Sequence, residues 1–256
     1  SVDAKYFPDE NFKNFVGNLD IDNDGILTEQ EIATVQEIAV GGLGIESLKG
    51  IEHFTSLEVL ICDHNNIREI DLSSNTNLRV LNINNNLLTA LDVSANTKLF
   101  SLSFANYYDD DSDPREREGN RVRIIDLSNN PLLDSLECSA NDMNTLDLSH
   151  NPLLSNINCG FNNLTPLDLS ALASLRELFC GYNQLQTLDI SHCTELETLR
   201  CEWNQLHTLD VSKNPDLRDL NCDNNYISGI DVSACPVLES FTCNNNPISV
   251  LDVTKN

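Results

Sequence analysis

The chain has 256 residues and a formal net charge of −25, from 40 acidic and 15 basic side chains. Nucleic-acid binding depends on Lys and Arg that neutralise phosphates, so this balance argues against nucleic acid and against anionic membrane surfaces as partners. No apolar run approaches the roughly 18 residues of a spanning helix, which predicts no membrane insertion. The first residue is not Met and no signal peptide is visible, so we expect a mature or trimmed product.

Residues 1–44 are predicted to form a helix–loop–helix cap. Pro8 and the two acidic residues after it suit the first turn of a helix. The apolar residues that follow have the spacing of one helical stripe: Phe12, Phe15, Val16 and Leu19. A second helix is predicted after the loop, with a capping box and an apolar stripe. The capping box is Thr28 with Glu31, and the stripe is Ile32, Val35 and Ile38.

The loop between these helices matches the twelve-residue EF-hand calcium loop at every constrained position. Ca²⁺ takes six to eight hard oxygen ligands, which alternate carboxylates supply, and Gly25 permits the sharp turn. The predicted ligands are Asp20, Asp22, Asp24, the Ile26 carbonyl, Thr28 (directly or through water) and Glu31. The alternative is an acidic turn without metal, but four crowded carboxylates would then repel one another. No second loop is present, so calcium is expected to be structural, in a cap over the end of the repeats.

From Leu57 onward the chain repeats a 21-residue unit with the pattern L-x-x-L-x-C-x-x-N-x-L-x-x-L-D-V/L-S-x-N-x-x. Its nine copies begin at Leu57, Leu78, Leu99, Leu133, Leu154, Leu175, Leu196, Leu217 and Leu238. Leucines at a fixed period of this length are the signature of a leucine-rich-repeat solenoid. The predicted fold is an α/β-type solenoid, a right-handed superhelix with a parallel β-sheet on its concave face, over residues 45–256. Residues 38–56 are interpreted as a degenerate first coil.

Three positions of the unit are interpreted as scaffold. Position 6 carries seven of the nine cysteines and takes Ile83 and Phe104 in the other two repeats, so it is predicted to face the core. We expect a ladder of free thiols there, and disulfides between neighbouring rungs are the alternative. The Asn at position 9 and the Asp at position 15 of every repeat are expected to hydrogen-bond backbone groups of the turns.

The third repeat is 34 residues long. Aligning Asn120 with position 9 leaves 13 extra residues, 107–119, directly after a strand. Loops added to repeat scaffolds often carry binding sites, and a solvated charged excursion is the equal alternative. The acidic residues of the insertion match no metal-loop pattern: Asp109, Asp110, Asp111 and Asp113.

Position 8 departs from the repeat in three consecutive units. It is small or polar in six repeats but becomes Phe161, Tyr182 and Trp203, the last being the only Trp of the chain. Rungs of a parallel sheet lie about 4.8 Å apart, so these rings are predicted to stack. An aromatic patch rimmed by polar groups usually marks a surface for a protein or for sugar rings, and rings that only stabilise the sheet are the alternative. The candidate ligand-binding residues are Phe161, Phe179, Tyr182, Arg200, Glu202, Trp203, Asp223 and Tyr226.

Catalytic constellations are missing from the sequence. The five histidines have no metal-ligand spacing, and the cysteines are predicted to face inward, whereas a nucleophilic cysteine must be exposed. There is no Gly-rich phosphate loop and no nucleophile elbow. We therefore expect a protein that is not an enzyme.

The unit LETLRCEWNQLHTLDVSKNPD resembles the 21-residue repeats of bacterial cell-surface proteins of the internalin type, in particular those with cysteine at the inward strand position. The resemblance covers residues 45–256. It implies an extracellular, surface-attached solenoid that binds a protein through its concave face. The EF-hand-like cap and the 13-residue insertion depart from that pattern, so no family ligand is transferred to particular residues.

The sequence thus favours a non-enzymatic extracellular or cell-surface binding module for a protein or glycan, with structural calcium in its cap. The alternative is a spacer or assembly segment of a larger surface protein, since the last repeat ends without a recognisable polar cap. An enzyme whose catalytic domain is absent from this chain is a third, weaker hypothesis.

Overall fold

Ten short parallel strands form one sheet in chain order. They are β1 Glu37–Ala39, β2 Val59–Ile61, β3 Val80–Asn82, β4 Ser101–Ser103, β5 Ser135–Glu137, β6 Asn156–Asn158, β7 Glu177–Phe179, β8 Thr198–Arg200, β9 Asp219–Asn221 and β10 Ser240–Thr242. The structure is a computed structural model that describes residues 5–21, 24–107 and 118–255. The predicted leucine-rich-repeat solenoid with its parallel sheet is confirmed.

Equivalent residues of successive rungs lie side by side along the sheet. Leu178 pairs with Leu199 and Leu199 with Leu220, so position 4 forms a continuous buried row. Position 6 lies next to it, and its cysteines are buried except for Cys243, which is half-buried. All nine cysteines are free thiols. The core is therefore a strip that runs the length of the solenoid, in which each rung packs on its neighbours.

The position-9 asparagines make the backbone contacts that the sequence predicts. Asn141 is 1% exposed, and its Oδ1 accepts a hydrogen bond from the Val122 N–H at 3.0 Å. Its Nδ2 donates to the carbonyls of Phe104 and Cys138, at 3.1 and 3.3 Å. Each amide thereby joins its own rung to the preceding one at the turn that follows the strand.

The position-15 aspartates also satisfy a backbone group. Asp71 Oδ1 accepts from the Ser73 N–H at 2.9 Å, and the same bond recurs through the last repeat, where Asp252 accepts from Thr254. Hydrogen bonds from the Ser73 hydroxyl and N–H lower the Asp71 pKa. These aspartates are turn-forming groups, in agreement with the non-catalytic interpretation.

A second asparagine ladder, at position 19, was not assigned a role from the sequence. Asn130 is fully buried, and its Nδ2 donates to the carbonyls of Val93 and Asn96 at 3.1 and 2.9 Å. Its Oδ1 is buried without a hydrogen-bond partner, and so is the Oδ1 of each equivalent Asn in a set formed by Asn75, Asn96, Asn151 and Asn214. Only half of each amide is therefore used, which explains why Leu172 replaces Asn at this position in one rung.

The cap contains two helices, α1 (Glu10–Gly17) and α2 (Glu29–Thr34). The apolar stripe of α1 packs on the core as predicted, and the capping box of α2 is present. The prediction that the second helix continues to Ile38 is wrong, because Val35 is already extended and Ile38 is the buried middle residue of β1. The sheet therefore begins inside residues 1–44, the segment assigned to the cap.

Asp9 connects the cap to the first coil. Its Oδ1 accepts from the Phe12 N–H at the start of α1, at 3.0 Å. Its Oδ2 accepts from the N–H groups of Glu46 and Ser47, at 2.7 and 3.2 Å. Gly50 is required nearby, because its φ is +106° and a Cβ there would lie 2.3 Å from the Phe7 ring.

The neck of the insertion is closed by a reciprocal amide pair. Asn106 Nδ2 donates to the Asn120 carbonyl at 2.9 Å, and the Asn120 N–H donates to Asn106 Oδ1 at 2.8 Å. Asn120 also makes the position-9 contacts, with Leu88 and Phe104, which confirms its alignment with the ladder. The two ends of the insertion are therefore held together, and the position-9 contacts of this rung are kept. The acidic residues 109–113 lie outside the described residues.

Candidate binding surface

The rings of Phe161, Tyr182 and Trp203 form one stack, which we call the aromatic stripe. The ring centroids of Phe161 and Tyr182 are 4.1 Å apart with 10° between their planes. Those of Tyr182 and Trp203 are 5.6 Å apart with 18° between planes. The predicted stacking is confirmed, and Trp203 remains 51% exposed at the end of the stack.

The backbone beneath the aromatic stripe is left-handed. In eight of the nine repeats position 8 has φ between 49° and 56°, and the exception is Asn106 at the neck of the insertion. Positive φ is uncommon for residues with a Cβ, is tolerated best by Asn and Asp, and is unusual for bulky side chains. The repeat pattern showed the aromatic substitutions, but it did not show that the backbone at this position disfavours them.

The other two predicted aromatic residues make ring contacts with residues outside the stack. Phe179 packs against the Arg200 guanidinium, with 5.7 Å from the guanidinium carbon to the ring centroid. Arg200 also forms an ion pair with Asp219, at 2.9 Å between Nη2 and Oδ2. Tyr226 is 57% exposed, and its ring lies 5.5 Å from that of His207.

Glu202 and Asp223 occupy position 7 of consecutive rungs, next to Trp203. Burial raises the pKa of Glu202, and the Arg200 charge opposes that effect. Oε2 of Glu202 is buried without a hydrogen-bond partner among the described residues. Asp223 accepts from the backbone and side-chain N–H groups of Asn244. The two carboxylates therefore differ: Asp223 is tied to the next rung, and one oxygen of Glu202 is free to accept.

A second polar cluster lies at the base of the insertion, in the two rungs that precede Phe161. The Tyr107 hydroxyl is bonded to Glu137 and Ser139, and burial is the main cause that raises the pKa of Tyr107. Burial also raises the pKa of Glu137, whose Oε1 accepts from the Ser139 hydroxyl at 2.8 Å. Tyr107 thus fixes the start of the insertion to the concave sheet.

The predicted calcium loop is described in part. Gly25 has φ +79°, and its N–H donates to Asp20 Oδ2 at 2.8 Å, while Asp20 Oδ1 is buried without a partner. Glu31 Oε1 accepts from the Ile21 N–H and Oε2 from the N–H and hydroxyl of Thr28, all at 2.8 Å. Asp22 lies outside the described residues. Among the described ones, no group of three or more His, Cys, Asp or Glu is placed to hold a metal ion.

These features test whether the loop residues fit Ca²⁺. A turn centred on Gly25 and an unpartnered carboxylate oxygen on Asp20 are what the first half of such a loop requires. Glu31 closes the same loop from the other side, although its oxygens are occupied by loop N–H groups and a hydroxyl. The candidate donors are all oxygen, which is the ligand type that a hard divalent cation takes.

A second surface feature, missed in the sequence, lies before the strands. A groove of about 590 Å³ is lined by Phe100, Leu132 and Leu153, which are 47%, 48% and 50% exposed. Arg79, Lys98 and Arg176 are at its rim. The sequence contains an indication of this groove, because positions 2 and 21 are polar in most repeats and apolar at these three residues.

The repeats and the fold of this chain are similar to those of known proteins. A family model for Leucine Rich repeats (2 copies) matches residues 55–96. The solved functional domain of InlJ from Listeria monocytogenes, described as including a cysteine ladder, is similar with a TM-score of 0.90 and 34% identity. The chain is an internalin-like leucine-rich-repeat protein. That match covers 98% of this chain and 54% of the InlJ chain.

Two further relatives define the extent of this likeness. Internalin J of Listeria monocytogenes serotype 4b (strain F2365) is 36% identical over 72 residues, which are 28% of this chain and 8% of that protein. The internalin InlF structure from strain 4b F2365 has a TM-score of 0.60 at 24% identity, over 95% of this chain and 84% of that one, and shows the fold alone. The internalin-like chain thus spans about half of the InlJ domain. No helix among the described residues is long and apolar enough to cross a membrane.

Proposed function

We propose that this chain is a non-enzymatic binding module of the bacterial cell surface or extracellular space, which takes a protein partner on the aromatic stripe. The single observation that carries the proposal is the stack of three aromatic rings on left-handed backbone. The extracellular setting rests on the likeness to internalins. The surface includes the flanking residues Phe179, Arg200, Glu202, Asp223 and Tyr226.

Stability alone gives no reason for aromatic residues at position 8. The left-handed conformation costs an ordinary residue about 1–2 kcal/mol, and less for Asn, which stands at this position in four repeats. Each stacked ring pair returns about 0.5–1.5 kcal/mol. For three left-handed residues and two stacked ring pairs, the strain therefore exceeds the gain from stacking. What they leave is an apolar, half-exposed indole at the end of the stack, which is the usual composition of a protein-binding centre.

The geometry favours a protein over a glycan. Sugars stack on free aromatic faces, whereas here the faces of Tyr182 are covered by Phe161 on one side and Trp203 on the other. The aromatic stripe presents ring edges and only its two end faces, on Phe161 and on Trp203. Edges and a single anchor suit the side chains of a protein, in which aromatic centres surrounded by polar groups supply most of the binding energy.

The test uses the residue that the scaffold itself favours. Tyr182→Asn combined with Trp203→Asn removes the rings and keeps a side chain suited to positive φ. The matched control, Leu132→Asn with Leu153→Asn, removes exposed apolar groups from the groove instead. On arrays of extracellular proteins and of glycans, we expect protein ligands of the wild type to be lost by the first variant and kept by the control. Equal binding by all three proteins would refute the site.

We also propose that the cap holds a structural Ca²⁺ through Asp20, Asp22, Asp24, the Ile26 carbonyl, Thr28 and Glu31. The partner-less Asp20 oxygen and the left-handed Gly25 support this. A bound ion would offset the repulsion among the loop carboxylates and fix the cap on the first coil. We expect Ca²⁺ to raise the melting temperature and to give heat in calorimetric titration, both abolished by Asp20→Ala and kept by Asp216→Asn. No heat and no thermal shift in the wild type would eliminate the site.

A further inference from the structure

Trp203 is the last ring of the aromatic stripe and is 51% exposed. The stack fixes the ring roughly parallel to Tyr182, so its second face looks toward the next rung, where position 8 is Asn224. The Trp203 backbone N–H donates to the Asp223 carbonyl at 3.0 Å, which joins the two rungs beside the indole. The indole is thus bounded by one further rung and by solvent.

The surroundings of this face are acidic. Asp219 and Asp223 lie close enough to Glu202 to act on its charge, so these three carboxylates bring three negative charges; Arg200 brings one positive charge, which leaves −2. The Arg200 charge is already engaged, by Asp219 at 2.9 Å and by the Phe179 ring. The cluster therefore attracts a cation from outside, in a chain whose own net charge is −25.

The Glu202 carboxylate is held beside the aromatic stripe at a cost. A Cβ on Gly181 would lie 2.9 Å from Glu202 Cδ, so the side chain lies directly on the Gly181 backbone. One of its oxygens is buried without a hydrogen-bond partner among the described residues. An unpartnered buried acceptor destabilises the free protein, and a positive charge beside the carboxylate offsets that penalty.

We propose that the protein partner inserts a cationic side chain, Arg or Lys, that lies on the outer face of Trp203 and pairs with Glu202 and Asp223. Indole is the best aromatic platform for a cation, and nearby carboxylates complete the charge balance. This inference rests on the proposed function and names the chemistry of its partner. It identifies a basic segment and separates it from neutral sugars and from acidic peptides, neither of which complements the net negative charge of this cluster.

Trp203 provides the assay, because it is the only Trp in the chain. The probe is the acetylated, amidated peptide Gly-Arg-Arg-Gly, compared with Gly-Glu-Glu-Gly and with a neutral oligosaccharide, by indole fluorescence. We expect a saturable change with the Arg peptide alone, weakened by salt. Glu202→Gln and Asp223→Asn should each lower its affinity about three- to fivefold, and the double variant about tenfold. Asp216→Asn removes the same charge elsewhere and should leave the affinity unchanged.

Three results would overturn the inference. They are no fluorescence change with the Arg peptide, equal loss of affinity in Asp216→Asn and in the double variant, or a response to the oligosaccharide alone. The proposed function fails separately, when the Asn variants of Tyr182 and Trp203 keep the protein ligands of the wild type. A basic-peptide failure combined with loss of protein capture would leave the aromatic stripe as a site for a partner of other chemistry.

Discussion

The two asparagine ladders predict opposite sensitivities to the same substitution. At position 9, Asn141→Leu removes the acceptor of the Val122 N–H and the donor to the Phe104 and Cys138 carbonyls. A buried group left unsatisfied costs about 1–3 kcal/mol. The two carbonyls keep the Nδ2 donors of Asn120 and Asn162. The Val122 N–H is the group left unsatisfied, so the expected loss of unfolding free energy is about 1–3 kcal/mol.

At position 19 the same change is expected to be mild. Asn130→Leu removes two donated hydrogen bonds, but it also removes a buried oxygen that has no partner. The two effects oppose each other, which leaves an expected cost of about 1 kcal/mol or less. Leu172 is fully buried at this position in another rung, so a leucine side chain fits there.

Urea denaturation followed by far-UV circular dichroism and by Trp203 fluorescence measures both costs, with unchanged m-values as the sign that they are comparable. Asn129→Leu, at an exposed residue beside Asn130, is the control for adding a leucine to the surface. Equal destabilisation at positions 9 and 19, or a larger loss for Asn130→Leu, would refute the reasoning from unsatisfied groups.

Three further outcomes follow from the titratable groups. Hydrogen bonds from Ser or Thr hold the pKa of Asp71 and of its equivalents below the ordinary value. Their contribution to stability is therefore present above about pH 4 and is lost as pH falls through the lowered pKa. A melting temperature that stays constant from about pH 5 to pH 2 would contradict this. Burial raises the pKa of Glu202, so Glu202→Gln should raise the melting temperature at pH 7. At about pH 3.5 the carboxyl is neutral in the folded and unfolded states, and the substitution should have no such effect. A loss of stability at pH 7 would count against this. Burial raises the pKa of the Cys159 thiol to about 12, so this thiol should react slowly at pH 8. Peptide mapping after alkylation of the native protein should therefore find the half-buried Cys243 modified first. Early labelling of Cys159 would show that the ladder opens.

The repeat period gave the fold because each rung meets the same environment. A residue type that recurs at one position, such as Asn141 or Asp71, is selected by a recurring backbone group, and its role follows from its chemistry. The ring stack followed from the period in the same way. These predictions needed only the alignment of each unit with the others.

The predictions that failed or were missed depend on information that is not periodic. Ile38 has helical spacing after Ile32 and Val35. Its backbone nevertheless pairs with β2 as part of β1, because this tertiary contact outweighs the local helical pattern. The left-handed φ of position 8 is hidden because His64 and Ala140 occur there as well as Asn. The apolar groove is not periodic, because Phe100, Leu132 and Leu153 lie before the strand at positions that are polar in most other repeats.

The constant backbone at position 8 separates shape from chemistry. The chain keeps φ within a few degrees whether the side chain there is Ala140, His64, Asn224 or Trp203. A surface built on such positions can exchange one side chain for another without moving the coil that carries it. Substitutions at this row therefore change the chemistry of the surface while the core beneath it stays the same.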